Sequence, residues 1–220
     1  MYHFRIAAAR WGAGMAAIAL VGAVGCAADT RVRDGGRAPA VTPPISASPL
    51  WPGYTPPQVP GDAKSSPVAE PYAPVRKVTV PAGGLRAVDV PLLLQSDPNV
   101  SGLVREAAAG GCAGGRCTVR DPVYRDLTGD GREELVVAVD DLVFRLTVLA
   151  VYRASGHRVR PVLVLYVQLG STAETFGRDL VVNAVGGDGL ITTRYRWNGT
   201  VMVPVAPGRD AQDHEETPTS

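Results

Sequence analysis

From Val123 to Pro204 apolar residues recur at every second position, in runs broken by short turn signals, and that period makes a sheet the natural way to bury them. "LVVAV" (Leu135 to Val139) is apolar throughout, the pattern of a strand covered on both faces. "LVFRLTVLAVYR" puts Leu142, Phe144, Leu146, Val148, Ala150 and Tyr152 on one face and Arg145, Thr147 and Arg153 on the other. "ASGH" then turns the chain and "VRPVLVLYVQL" returns it. "DLVVNAV", "GGDG" and "LITTRYRW" make a second hairpin. Asn198-Gly199, the strongest short hairpin signal, leads into "TVMV" before Pro204.

Ahead of these runs the period is 3.6. In "SDPNVSGLVREAAAGG" Ser96 or Asp97 can cap a helix and Pro98 suits its first turn. Val100, Leu103, Val104, Ala107 and Ala108 share one face, and Gly110 and Gly111 stop the helix. "VRKVTV" (Val75 to Val80) alternates and reads as an edge strand. The expected fold is therefore α+β: one N-terminal helix packed on an antiparallel β-meander of about six strands, over residues 75–206.

The rest of the chain cannot build a core. Eleven of the 19 prolines lie between residues 27 and 75. Residues 26–74 are expected to form a Pro-rich disordered tether, spanning roughly 40 Å as a coil and roughly 150 Å as polyproline II. Trp51 and Tyr54 are its odd aromatics: a peptide-recognition site, or incidental. Residues 207–220 are acidic and polar, an expected disordered tail.

Residues 1–25 read as an export signal. Arg5 and Arg10 supply positive charge, and Trp11 to Val24 form an uncharged apolar segment too short for a membrane core of about 30 Å. The segment ends in "AVGC" (Ala23 to Cys26), which resembles the bacterial lipobox, with Ala23 where Leu is commonest. That resemblance implies a diacylglyceryl group on Cys26, cleavage before it, and a chain anchored in membrane lipid at the extracytoplasmic face. The alternative is plain secretion with Cys26 incidental.

Acylation of Cys26 also explains an odd cysteine count in an exported chain. The other two, Cys112 and Cys117, lie in the Gly-rich "GGCAGGRCT" and are expected to form a disulfide in an oxidising compartment. A redox or metal role for the pair is the lesser alternative. The chain carries 22 Lys+Arg against 21 Asp+Glu, a balance that argues against a nucleic-acid surface. No G-x-S-x-G, H-E-x-x-H or P-loop occurs, and His157, the one histidine of residues 75–206, sits in a turn. An enzyme is not expected.

"DLTGDGREELVV" (Asp126 to Val137) carries the most chemistry. Asp126, Thr128, Asp130 and Glu134 stand at positions 1, 3, 5 and 9, Arg132 can offer its carbonyl at position 7, and Gly131 turns the chain at position 6. This is the spacing of an oxygen-ligand calcium loop. It is not an EF-hand, because Val137 stands where a bidentate Glu is needed. The stretch resembles the loop of FG-GAP-type β-repeats, which implies a structural Ca2+ held by Asp126, Thr128, Asp130, Arg132 and Glu134. The neutral Thr128 departs from that pattern. The alternative is a metal-free turn, since Asp and Thr make Asx- and ST-turns unaided.

Lipobox, Pro-rich tether, helix, "VYRDLTGDGREELVVAV" and "TRYRWNGT" together resemble actinobacterial surface lipoproteins, CseA-like lipoproteins of the sigma-E envelope-stress system among them. The resemblance covers the signal region and roughly residues 90–204. It implies a non-enzymatic negative modulator of a sensor kinase that induces an extracytoplasmic sigma factor, with the kinase ectodomain as partner. The alternative is a calcium-supported module that binds cell-wall glycan or holds the envelope structurally.

Overall fold

The period-2 runs do become strands, but they divide between two antiparallel sheets. The computed structural model describes residues 45–57, 66–67, 72–110, 112, 115–186 and 189–205, all within one compact unit. The signal segment, Cys26 and the 207–220 tail lie outside the described residues. In chain order the elements are β1 (Ala47–Pro49), β2 (Ser66–Pro67), α1 (Val90–Ser96), α2 (Gly102–Ala109), β3 (Cys117–Val119), β4 (Val123–Arg125), β5 (Glu134–Asp141), β6 (Leu146–Ser155), β7 (Arg158–Gln168), β8 (Thr172–Phe176), β9 (Asp179–Gly186), β10 (Gly189–Trp197) and β11 (Met202–Pro204). One sheet runs β2-β7-β6-β5-β3, with β4 also on β5; the other runs β1-β8-β9-β10-β11.

The expectation of one helix on a single six-stranded meander is therefore overturned. The described residues hold two short α-helices and two sheets. The physical reason lies in the central strands. Leu135, Val137, Val139, Val148, Ala150 and Tyr152 pack against α1, α2 and the segment from Val75 to Val90. The alternate residues Val136, Leu149, Val151, Leu163, Leu165 and Val167 pack against Leu180, Val182, Tyr195 and Met202 of the other sheet. Strands apolar on both faces need two covers, and a single helix supplies one. The result is three layers: helices, central sheet, outer sheet.

The helix boundaries differ for a local reason. Asp97 ends α1 instead of starting a helix, and its carboxylate is buried, accepting hydrogen bonds from Tyr152 Oη (2.8 Å) and Asn99 N (2.8 Å). Ser101 caps α2 through Val104 N, and Asp89 caps α1 through Leu92 N. Val75 to Val80 contributes one bridge, Thr79 to Arg158, and buries Val75 and Val78 without forming a strand.

Residues 45–57 belong to the stretch read as tether, and here they lie on the folded body. β1 pairs with β8 as Ala47↔Phe176, Ser48↔Thr175 and Pro49↔Glu174. Leu50 is buried, and its N–H donates to Ala173 O. Pro49 is tolerated because β1 is an edge strand. Behind this segment sits Arg120, itself buried. Its guanidinium makes a two-point pair with Asp140 (3.0 and 2.6 Å) and donates to Ser171 O (2.9 Å), while Tyr54 stacks on it at 3.6 Å. Trp51 Nε1 donates to Asp121 O. The odd aromatics thus clasp the segment to a buried ion pair.

Candidate functional site

The loop between β4 and β5 forms as a tight turn with both flanks in strands. Gly131 has φ +78° and Gly129 φ +76°, so both sit where a side chain would strain the backbone. A Cβ on Gly129 would also collide with the Arg178 side chain.

The side chains of the loop turn inward onto its own backbone. Asp126 accepts from Gly129 N (2.6 Å) and Gly131 N (3.1 Å), three and five residues on. Asp130 accepts from Arg132 N (2.9 Å). Glu134, 1 % exposed, accepts from Leu127 N (2.8 Å) and Thr128 N (3.0 Å) with Oε2 and from Thr128 Oγ1 (3.1 Å) with Oε1. Burial pushes the Glu134 carboxyl above its ordinary value, against those hydrogen bonds. Burial also pushes Asp130 up, but the Arg132 N–H and the Arg153 guanidinium together hold it below the usual carboxylate range.

The positive charge in this cluster comes from Arg153 on β6. Its Nη2 donates to Asp130 Oδ2 at 2.7 Å and its Nε lies 3.8 Å from Glu134 Oε1. The β5–β6 register sets this up: Leu135 pairs with Tyr152, so Arg153 falls beside Glu134. The sequence-derived ligand set of Asp126, Thr128, Asp130, Arg132 and Glu134 is thus gathered in one turn, but not around a point. Among the described residues no three His, Cys, Asp or Glu side chains converge to hold a metal ion. Each of these carboxylates is engaged by backbone N–H donors, and Arg153 also faces Asp130 and Glu134.

Cys112 and Cys117 are joined, with Sγ–Sγ 2.07 Å, and tie the end of α2 to β3. The paired acids Asp140 and Asp141 serve structure: Asp140 holds Arg120 and Thr147 Oγ1, and Asp141 caps the following turn through Val143 N and Phe144 N.

Arg153 also faces outward. It lines a cavity of about 260 Å³ at the seam between the two sheets. β6 and β7 contribute Arg153, Ser155, Arg160, Pro161 and Val162; the β10–β11 hairpin contributes Trp197 and Thr200. The β6–β7 register slips at this place, where Val151 pairs with Leu163 and Tyr152 with Pro161, so Val162 is an extra residue. Such bulges re-aim side chains at the rims of sheets. Arg153 stands over the Trp197 ring, 5.3 Å from its centroid. Sequence periodicity could not place this site, because its walls come from strands some forty residues apart. Comparison with protein-family models, with curated proteins and with solved structures finds no match to this chain.

Proposed function

We propose that the chain is a membrane-anchored extracytoplasmic lipoprotein that binds and does not catalyse, held to lipid by an acylated Cys26. The observation that carries this reading is "AVGC" standing directly after an uncharged apolar segment with a basic start. The resemblance to CseA-like lipoproteins supports the further role of a negative modulator of a sensor kinase in an envelope-stress pathway, with the kinase ectodomain as partner. Asp140, Asp141 and Glu134 are all engaged in structural hydrogen bonds, which favours a scaffold over a reactive centre. Mass spectrometry of the membrane fraction should find Cys26 as a diacylglyceryl-modified N-terminal residue, and crosslinking in cells should recover the kinase ectodomain. An unmodified Cys26, or the first 25 residues intact, would end the anchoring proposal. Recovery of wall fragments without a kinase would end the signalling one.

A second reading, a wall-glycan binding module, is favoured by the seam cavity, which combines an aromatic face with hydroxyl and guanidinium groups.

A further inference from the structure

The seam cavity has a charge pattern that narrows what it can hold. Of its two guanidiniums, Arg153 already faces Asp130 and Glu134. Arg160 is exposed, and its side chain has no hydrogen bond or ion pair with any described residue. With Arg153, Asp130 and Glu134 it makes two positive charges against two negative, and its guanidinium is the one at the cavity that faces no carboxylate among the described residues. It suits a single carboxylate better than a doubly charged phosphate, and the guanidinium fork matches a carboxylate in two-point geometry.

The remaining walls describe the body of the ligand. Trp197 is half-buried at one side, and Ser155 and Thr200 offer hydroxyls that bond to no described side chain. An aromatic face takes the C–H surface of a ring, and the hydroxyls take its polar edge. At about 260 Å³ the space falls just under the range of about 300–1,000 Å³ usual for small-ligand pockets, a size that suits one sugar ring.

We propose that the seam cavity is a binding site for one acidic sugar residue, its carboxylate on Arg160 and Arg153 Nη1 and its ring against Trp197. The inference rests on the wall-glycan reading of this cavity, which it deepens, and holds whether or not Cys26 is acylated.

The test is calorimetric titration of the full chain in detergent with N-acetylmuramic acid and with glucuronic acid. N-acetylglucosamine and glucose serve as neutral counterparts, and benzoate and inorganic phosphate as other anions. Both acidic sugars should bind saturably in the millimolar range and quench Trp197 fluorescence, and the neutral sugars should not. Arg160→Gln should weaken the acids by roughly tenfold, the worth of one charge-assisted contact, with an unchanged melting temperature. Arg158→Gln, which removes an equal charge outside the cavity, should bind like the parent. No saturable binding, equal binding of a neutral counterpart, or unchanged affinity in Arg160→Gln would overturn the site. Tighter binding of benzoate or phosphate than of either sugar acid would overturn the sugar assignment.

Discussion

Glu134 shows how one side chain can organise a loop. Its carboxylate is almost wholly buried and satisfies two backbone N–H groups and a hydroxyl. Gln can do the same, turning its oxygen to the N–H pair and its amide to Thr128. Glu134→Gln should therefore stay within about 1 kcal/mol of the parent at neutral pH, while Glu134→Ala, which orphans both N–H groups, should cost about 2–4 kcal/mol in urea unfolding. The pH dependence has a definite sign. Because burial raises the folded-state pKa of Glu134 above its unfolded value, its favourable contribution is complete below the unfolded value and is lost as pH rises through the folded one. The stability difference between Glu134→Gln and parent should thus shift in favour of Gln as pH rises from the acid range to neutral. Glu133, whose partner Arg86 holds its carboxyl low, works the other way: its contribution is lost on acidification, though exposure keeps it small. An unvarying Gln–Glu difference across that range would refute the assignment to Glu134.

At the scale of elements, much was legible and the misses have causes. The hairpins around Gly156, between β9 and β10, and at Asn198-Gly199 stand where turn signals put them, and "LVVAV" is buried on both faces as its composition requires. Leu142 to Phe144 alternated like a strand, yet they form the exposed β5–β6 turn, fixed by Asp141 and by Arg145 at φ +56°. β1 was hidden because proline density describes an average, whereas three residues and one buried leucine suffice to dock a segment. The loop residues were readable, but Arg153 was not: its place beside Glu134 follows from cross-strand register, which no local window contains. The docked segment makes a measurable claim. Leu50→Ala should cost about 2–4 kcal/mol and open residues 45–57 to protease before the rest of the domain. Equal protection of this segment in parent and variant would show that Leu50 does not hold it. Reduction of Cys112–Cys117, which closes a short loop, should cost only about 2 kcal/mol and leave the sandwich folded by circular dichroism.

For the whole molecule, the two accounts of the Asp126–Glu134 loop differ by an amount that can be measured. A calcium site filled to a hundred times its dissociation constant would add about 2.7 kcal/mol, several degrees of melting temperature for a domain this size. With the guanidinium of Arg153 already paired with Asp130 and beside Glu134, about 10 mM calcium should move the melting temperature by less than about 1 °C, and a chelator should do nothing. A rise of several degrees, abolished by Asp126→Asn, would restore the calcium account. The three-layer plan gives a second expectation at this scale. The central sheet is shared by both cores, so unfolding should be one cooperative transition in calorimetry and fluorescence alike. The same plan has a mechanical side. Tension reaching the body through residue 45 would load the three-residue β1–β8 ladder before the ten paired positions of β6 and β7. The N-terminal latch would act as a fuse, yielding under a pull that leaves the inner layers intact.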